Sequence, residues 1–529
     1  MEKNLTSGSV FQNIVWFSLP YLLSYFLQTL YGMADLFIIG QFEGVAGTTA
    51  VSIGSQVMHM ITVMIVGLAM GSTVSIAQAV GANNRKQASL SVGNTVTLFM
   101  GLSVVLSAVL LLFVRPIVTV MSTPEEAVSG TVLYLTICFL GIPFITAYNI
   151  ISSIFRGLGD SRSPMYFIAV ACVANIVLDY LFIGYFHLGP AGAALGTTLT
   201  QSVSVVIALI AILKQRSGIT LGKSDFRPRR PVMGQLLQIG IPVALQDGFI
   251  QIAFIVITII ANRRGLSAAA AVGIVEKMIS FLFLVPSSML STVSALCAQN
   301  IGAGKEDRAR ETLRYAIMIA AGFGILVSIL IQFIAEPAVG LFTTDATVRM
   351  MGGQYIRGYI FDCIFAGIHF SFSGYFCACG RSGLSFLHNF LSIVCVRIPG
   401  AYLTSRLFPQ TLLPMGLANA AGSLFSICAR WICPCRLFWL GQTLRITDCS
   451  QLELPTIQLA REQTEALIFL GKIGVSVSEE HLRAGDFSQY DGMFLAPDGF
   501  SREITLIDYG LTNDTEKFVT EITIPVREA

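Results

Sequence analysis

The sequence predicts an all-α membrane protein: twelve transmembrane helices in two parallel-repeat six-helix lobes, followed by a small C-terminal α+β soluble segment. Three observations lead there. Hydrophobic residues make up 54% of the 529-residue chain and charged residues 12%, where soluble proteins carry roughly a quarter. Apolar runs of about 20 residues recur, long enough to cross a bilayer as helices, and the short alternating segments of barrel strands are absent. The chain also repeats itself. Ala77-Gln78 with Gly81-Ala82 returns as Ala298-Gln299 with Gly302-Ala303, Phe155, Gly159 and Ser161 return as Phe376, Gly380 and Ser382, and Ala50-Val51 returns as Ala271-Val272, all offset by 221 residues. Pro20 and Pro242 differ by 222. One shared offset marks two homologous halves. Halves that rock about a central site make an alternating-access transporter.

The expected spans have apolar cores at 13–39, 50–78, 90–114, 131–153, 164–186 and 191–213 in the first half. In the second half they lie at 235–261, 267–295, 312–335, 354–376, 384–405 and 412–433. Turn residues separate them: Gly44, Gly81 to Asn84, Gly157 to Pro164, Gly189-Pro190, Gly302 to Gly304, and Gly380 to Gly383. Abundant glycine, with Ala, Ser and Thr, suits close helix approach in a membrane. The domain reading is residues 1–222 for the first lobe, 223–440 for the second and 441–529 for the soluble tail.

Charge orients the spans. One set of loops carries fifteen Lys and Arg, among them Arg85, Lys86, Arg156, Lys223, Arg227, Arg229, Arg230, Lys305 and Arg381; the opposite set carries six. The richer side is expected to be cytoplasmic, which puts both termini there in a multi-pass protein of the bacterial cytoplasmic membrane. Labelling should then find Lys223 and Gln451 on the cytoplasmic side and Gly189 outside. Lys223 outside would overturn orientation and helix count together. Residues 1–440 hold 26 basic and 16 acidic side chains, +10, against 7 and 15 in the remainder, −8. The tail is thus a different kind of sequence.

Ionisable groups within spans are costly and usually face a cavity or a partner. Asp35 lies in the first span, with Gln28 and Tyr31 seven and four residues before it on one face. Asp179 lies in the fifth, with Asn175 one turn earlier. A carboxyl shut away from water can hold a proton or a cation, so Asp35, Asp179 and Asn175 form the candidate coupling site. A buried polar knot that holds helices together is the alternative. Pro20 removes a backbone hydrogen bond from the first span and offers a bend. With Gln28 and Tyr31 it is a candidate for the substrate cavity or its gating, as are Lys277 and Arg397 in the second half. Glu276, Asp247 and Asp362 are further intramembrane charges, and all five of these second-half residues are open to direct roles or to structural pairing. His59 and His369 read as core residues.

No phosphate-binding loop is evident, since Gly302-Ala-Gly304-Lys305 is followed by Glu306. No nucleophile–base constellation marks an enzyme, and no cofactor is expected beyond a coupling ion, proton or sodium. The cysteines, Cys138, Cys172, Cys297, Cys363 and Cys395 among them, read as small buried hydrophobes. Metal binding is not expected. The implied partners are a small molecule and membrane lipid, with no nucleic acid.

Pro20, Gln28, Tyr31 and Asp35-Leu-Phe-Ile-Ile-Gly40 resemble the first helix of the multidrug and toxic compound extrusion (MATE) family. So do Phe155-Arg-Gly-Leu-Gly-Asp160, Asn175-Ile-Val-Leu-Asp179, Gln299-Asn-Ile-Gly-Ala-Gly304 and Val396-Arg-Ile-Pro399. The resemblance covers residues 10–440. It implies a V-shaped cavity and export of cationic or amphipathic compounds against inward flow of protons or sodium. It follows the bacterial branch whose first-lobe aspartates, here Asp35 and Asp179, are linked to coupling. Another branch has an acidic residue in the middle of the seventh helix, where this chain reads Gln246-Asp-Gly-Phe-Ile-Gln251. The tail, at Ile473-Gly-Val-Ser-Val-Ser-Glu-Glu and Glu503-Ile-Thr-Leu-Ile-Asp-Tyr-Gly510, resembles part of an effector-binding domain of helix-turn-helix regulators. A lipid-linked oligosaccharide flippase of related fold, or a sensor signalling through its tail, are the alternative functions.

Overall fold

The computed structural model describes residues 4–214 and 221–432; the tail reading of residues 441–529 lies outside them. Twelve helices follow in order. The first half has α1 Val10–Phe42, α2 Val45–Gly81, α3 Arg85–Leu112, α4 Glu125–Gly157, α5 Arg162–Tyr185 and α6 Gly189–Lys214. The second half has α7 Arg230–Asn262, α8 Leu266–Gly302, α9 Glu306–Gly340, α10 Ala346–Ala378, α11 Ser382–Leu407 and α12 Leu413–Ile432. The first eleven are long and apolar enough to span a membrane. The twelfth, with 20 residues, reaches about 30 Å at 1.5 Å per residue. A short helix, Val114–Val120, follows α3 and starts at the last residue of the 90–114 core expected for that span. The lobe connection has one described turn of 3-10 helix, Lys223–Phe226.

Local chemistry explains where the chain turns. The Ser9, Asn84 and Asp345 side chains accept from backbone N–H groups in the first turns of α1, α3 and α10, satisfying donors that a helix start leaves free. The repeat is written into the turns too. Asn83 and Gly304 occupy the left-handed region, φ 53° and 70°, as do Gly159 and Gly380, φ 87° and 70°. Each pair is 221 residues apart and needs a residue that tolerates that backbone.

Within each lobe, matching hydrogen bonds tie matching helices. Thr73 Oγ1 donates to Ser153 O, and Ser294 Oγ to Gly374 O, both at 3.2 Å. Ser107 donates to Phe139 O and Ser328 to Ile360 O. All four partners are related by 221 positions. Lipid-facing positions are apolar, as in α9, where Leu326 is 66% and Phe333 79% exposed. The buried α2–α3 seam instead uses hydroxyls, Ser75 to Ser91 at 3.1 Å and Thr95 to Ser72 at 3.0 Å. That inversion is what hydrocarbon solvent demands.

The lobes meet mainly where α2 packs on α7 and α8, and α1 on α8. Gln78 Nε2 donates to Ala378 O at 2.8 Å, and Gln299 Nε2 to Gly157 O at 3.2 Å. Each bond is the repeat image of the other. Beside them Gly81 lies against the Gln299 carbonyl and Gly302 against the Gln78 carbonyl, so close that any Cβ would collide. Gln299 Oε1 also accepts from Leu5 N at 3.2 Å, and Gln78 Oε1 from Gln235 Nε2 at 3.4 Å. These contacts lie on the side of the turns at Asn83, Gly159, Gly304 and Gly380. Each neutral bond is worth about 0.5–1.5 kcal/mol net. Gln78→Ala with Gln299→Ala, which removes all four of these bonds, should therefore shift the lobe equilibrium by about thirtyfold or more toward separation on this side. Spin labels at Lys86 and Asp307 should show a longer-distance population; an unchanged distance distribution would refute the latch.

Candidate functional site

Asp35, Asp179 and Asn175 come together. Asp35 of α1 is 4% exposed, and Asp179 and Asn175 of α5 are both 0%. Thr197 Oγ1 of α6 donates to Asp35 Oδ2 at 3.2 Å. The other Asp35 oxygen, both Asp179 oxygens and both Asn175 amide atoms have no protein hydrogen-bond partner. The two carboxyls nevertheless adjoin each other. Two ionised carboxylates offer only acceptors, so this contact becomes a hydrogen bond only when one of them carries a proton. No Lys or Arg pairs with either among the described residues. An acceptor-rich, donor-poor pocket of this kind suits a shared proton or a small cation.

Two features that the sequence reading missed build the pocket. A Cβ on Gly196 would strike Asp179 Oδ1, so α6 must present glycine there. Asp179 also immediately precedes a π-helical turn, Tyr180–Tyr185, a wider turn often found at functional positions. The small-residue run Gly189-Pro-Ala-Gly-Ala-Ala-Leu-Gly-Thr-Thr was the available signal for α6. It gave no hint of which helix it would face.

Tyr31 OH accepts from Gln201 Nε2 at 3.5 Å, one turn from Asp35. Pro20 is buried in a helix that continues through it, and its carbonyl accepts from Ser24 Oγ at 2.9 Å. Gln28 lines a cavity between α1 and α4. The second-lobe candidates go separate ways. Lys277 is exposed on α8 near His59 of α2, itself exposed rather than in the core. Arg397 is buried, with Nη2 2.9 Å from Asp362 Oδ2 and 3.0 Å from Ser423 Oγ. It closes a second π-helical turn, Ile393–Arg397. Glu276 accepts from Thr258 Oγ1 at 3.2 Å. His369 stacks edge-on to His388 at 4.9 Å between ring centroids. Cys395 is exposed, contrary to expectation, while Cys138, Cys172, Cys297 and Cys363 are buried.

The lobes therefore share a frame and differ in charge. The first holds two adjoining carboxyls without a cation; the second neutralises Asp362 with its own guanidinium. The relatives of the chain agree with this architecture. The family model described as MatE matches residues 20–181 and again 242–403. "Probable multidrug resistance protein YpnP" of Bacillus subtilis (strain 168) is 28% identical over 81% of this chain and 96% of its own length. An "FAD transporter" of Shewanella oneidensis is 26% identical over 79% and 95%. Among solved structures, a MATE "in the straight conformation" superposes with a TM-score of 0.77 at 22% identity, covering 83% of this chain and 98% of that one. A transporter of the MOP superfamily from Pyrococcus furiosus gives 0.75 at 21%, covering 81% and 97%. With the family model matched once in each lobe, this chain belongs to the MATE family of efflux transporters.

Proposed function

We propose that the protein is an antiporter that exports amphipathic or cationic compounds across the bacterial cytoplasmic membrane, driven by inward flow of protons or sodium through Asp35, Asp179 and Asn175. The observation that carries this reading is the pair of adjoining buried carboxyls with no basic partner. A merely structural knot would neutralise a buried carboxyl with a basic partner, as Arg397 does for Asp362. Several relatives are named for multidrug resistance or export, among them "Multidrug export protein MepA" of Staphylococcus aureus, which supports efflux of small molecules. If the loops rich in Lys and Arg are cytoplasmic, the side where the lobes meet is also cytoplasmic.

Proteoliposomes loaded with ethidium test the reading. An imposed proton or sodium gradient should drive efflux, and the ion that does so is the coupling ion. Efflux that neither gradient accelerates would overturn coupling. A flippase for anionic lipid phosphates would need several basic side chains in the cavity, and Arg397 is occupied by Asp362.

A further inference from the structure

The polar face of α1 does not end at Asp35. It runs back through Tyr31, Gln28, Tyr25 and Tyr21 at spacings of three and four residues. Its far end borders a narrow cavity of about 30 Å³, room for one small polar group, that opens to solvent on one side. Arg156 of α4 is the one charged residue lining that cavity, and no carboxylate lines it. The guanidinium lies 5.0 Å from the centroid of the Tyr21 ring, and Nη2 donates to Ser153 Oγ at 3.0 Å. No carboxylate pairs with Arg156 among the described residues.

Two hydroxyls at the cavity, those of Tyr25 and Ser152, keep a hydrogen without a protein acceptor. Ser291 Oγ donates to Tyr21 OH at 2.8 Å, and Tyr21 OH donates to Tyr25 OH at 3.1 Å. That order leaves the Tyr25 hydrogen for a further acceptor. Ser152, another lining residue, is 2% exposed, and its hydroxyl has no partner. The repeat shows that this is not a shared scaffold feature. The matching second-lobe positions of Tyr21, Tyr25, Tyr148 and Arg156 hold Val243, Asp247, His369 and Cys377. Asp247 approaches from the other lobe against Gly67 of α2, outside the lining.

A lone guanidinium beside aromatic rings, with spare hydroxyl donors and partly out of water, is a receptor for an oxyanion. Charge-assisted hydrogen bonds of this kind are the strong ones. We propose that this cavity is an anion subsite of the transport path, at the opposite end of the α1 face from Asp35 and Asp179. It takes the carboxylate of an aromatic amphipathic ligand. Among the exported amphipaths, those that also carry a carboxylate are then the tighter ligands. This rests on the exporter reading for its transport role.

The test uses two rhodamines with one body: rhodamine 110, a free carboxylic acid, and rhodamine 123, its methyl ester. Binding is measured by fluorescence anisotropy on the purified full chain in detergent, and efflux in proteoliposomes. Wild type should bind the acid about tenfold more tightly than the ester, the scale of one charge-assisted hydrogen bond. Arg156→Gln should bring that ratio close to one, and Arg156→Lys should keep an intermediate ratio. A wild-type ratio of one overturns the subsite, and decides the matter even if Arg156→Gln fails to fold. A ratio that survives Arg156→Gln overturns it as well. Carboxylate-selective binding without gradient-driven efflux supports the subsite and removes the exporter reading. Efflux of both dyes without selectivity does the reverse.

Discussion

Asp179→Asn and Asp35→Asn should each leave a folded, inserted protein whose gradient-driven efflux is lost. Asn keeps the volume and one carbonyl acceptor but cannot take up or release a proton, and it offers a cation no charge. Both carboxyls are buried, and only Asp35 Oδ2 has a protein donor. Removing a charge that no basic residue balances relieves a desolvation cost, so neither substitution should lower stability. That separates function from folding: thermal unfolding midpoints at or above wild type, with efflux at the level of protein-free liposomes. Asp179 has the sharper expectation, because neither of its oxygens has a structural bond to lose. Wild-type efflux in both variants would dismiss the pair as the coupling site.

Arg397→Ala should do the opposite and act on stability. It strips the guanidinium from Asp362, which is 0% exposed and whose Oδ1 already lacks a partner. Breaking a buried ion pair on one side costs about 3–5 kcal/mol. Purified Arg397→Ala should therefore unfold at a clearly lower temperature and aggregate on extraction. Asp362→Leu combined with Arg397→Met, which removes both charges and keeps volume, should recover most of the loss. A single variant as stable as wild type would show that the pair contributes nothing. A double variant no better than the single would place the cost in lost packing, not in the uncompensated charge.

The two experiments probe one contrast. Both lobes bury acidic side chains among their helices, and both place a π-helical turn in their fifth helix, at Tyr180–Tyr185 and Ile393–Arg397. In the first lobe the turn follows an aspartate left without a cation. In the second it ends in an arginine that supplies one.

The spans, their number, the two-lobe repeat and the candidate coupling residues were all legible in the chain itself. Bilayer thickness sets span length, and the 221-residue offset is a property of the letters alone. Asp35 and Asp179 stood out because a carboxyl in an apolar run is conspicuous wherever the run goes. What the linear pattern could not contain was the identity of partners. Thr197 meets Asp35 across 162 positions, and Gln78 meets Ala378 across 300. A helical period names the face of a residue, not the helix that face will meet. The π-helical turns add a second reason. An extra residue in a turn rotates everything after it, so a 3.6-residue period carried past Asp179 or Ile393 points side chains the wrong way. Arg397 read as a candidate for the substrate cavity because it is a charge within an apolar run, with a structural pair as the alternative. Only packing, with Gly422 giving it room and Asp362 and Ser423 receiving it, decided that it belongs to the interior of its own lobe.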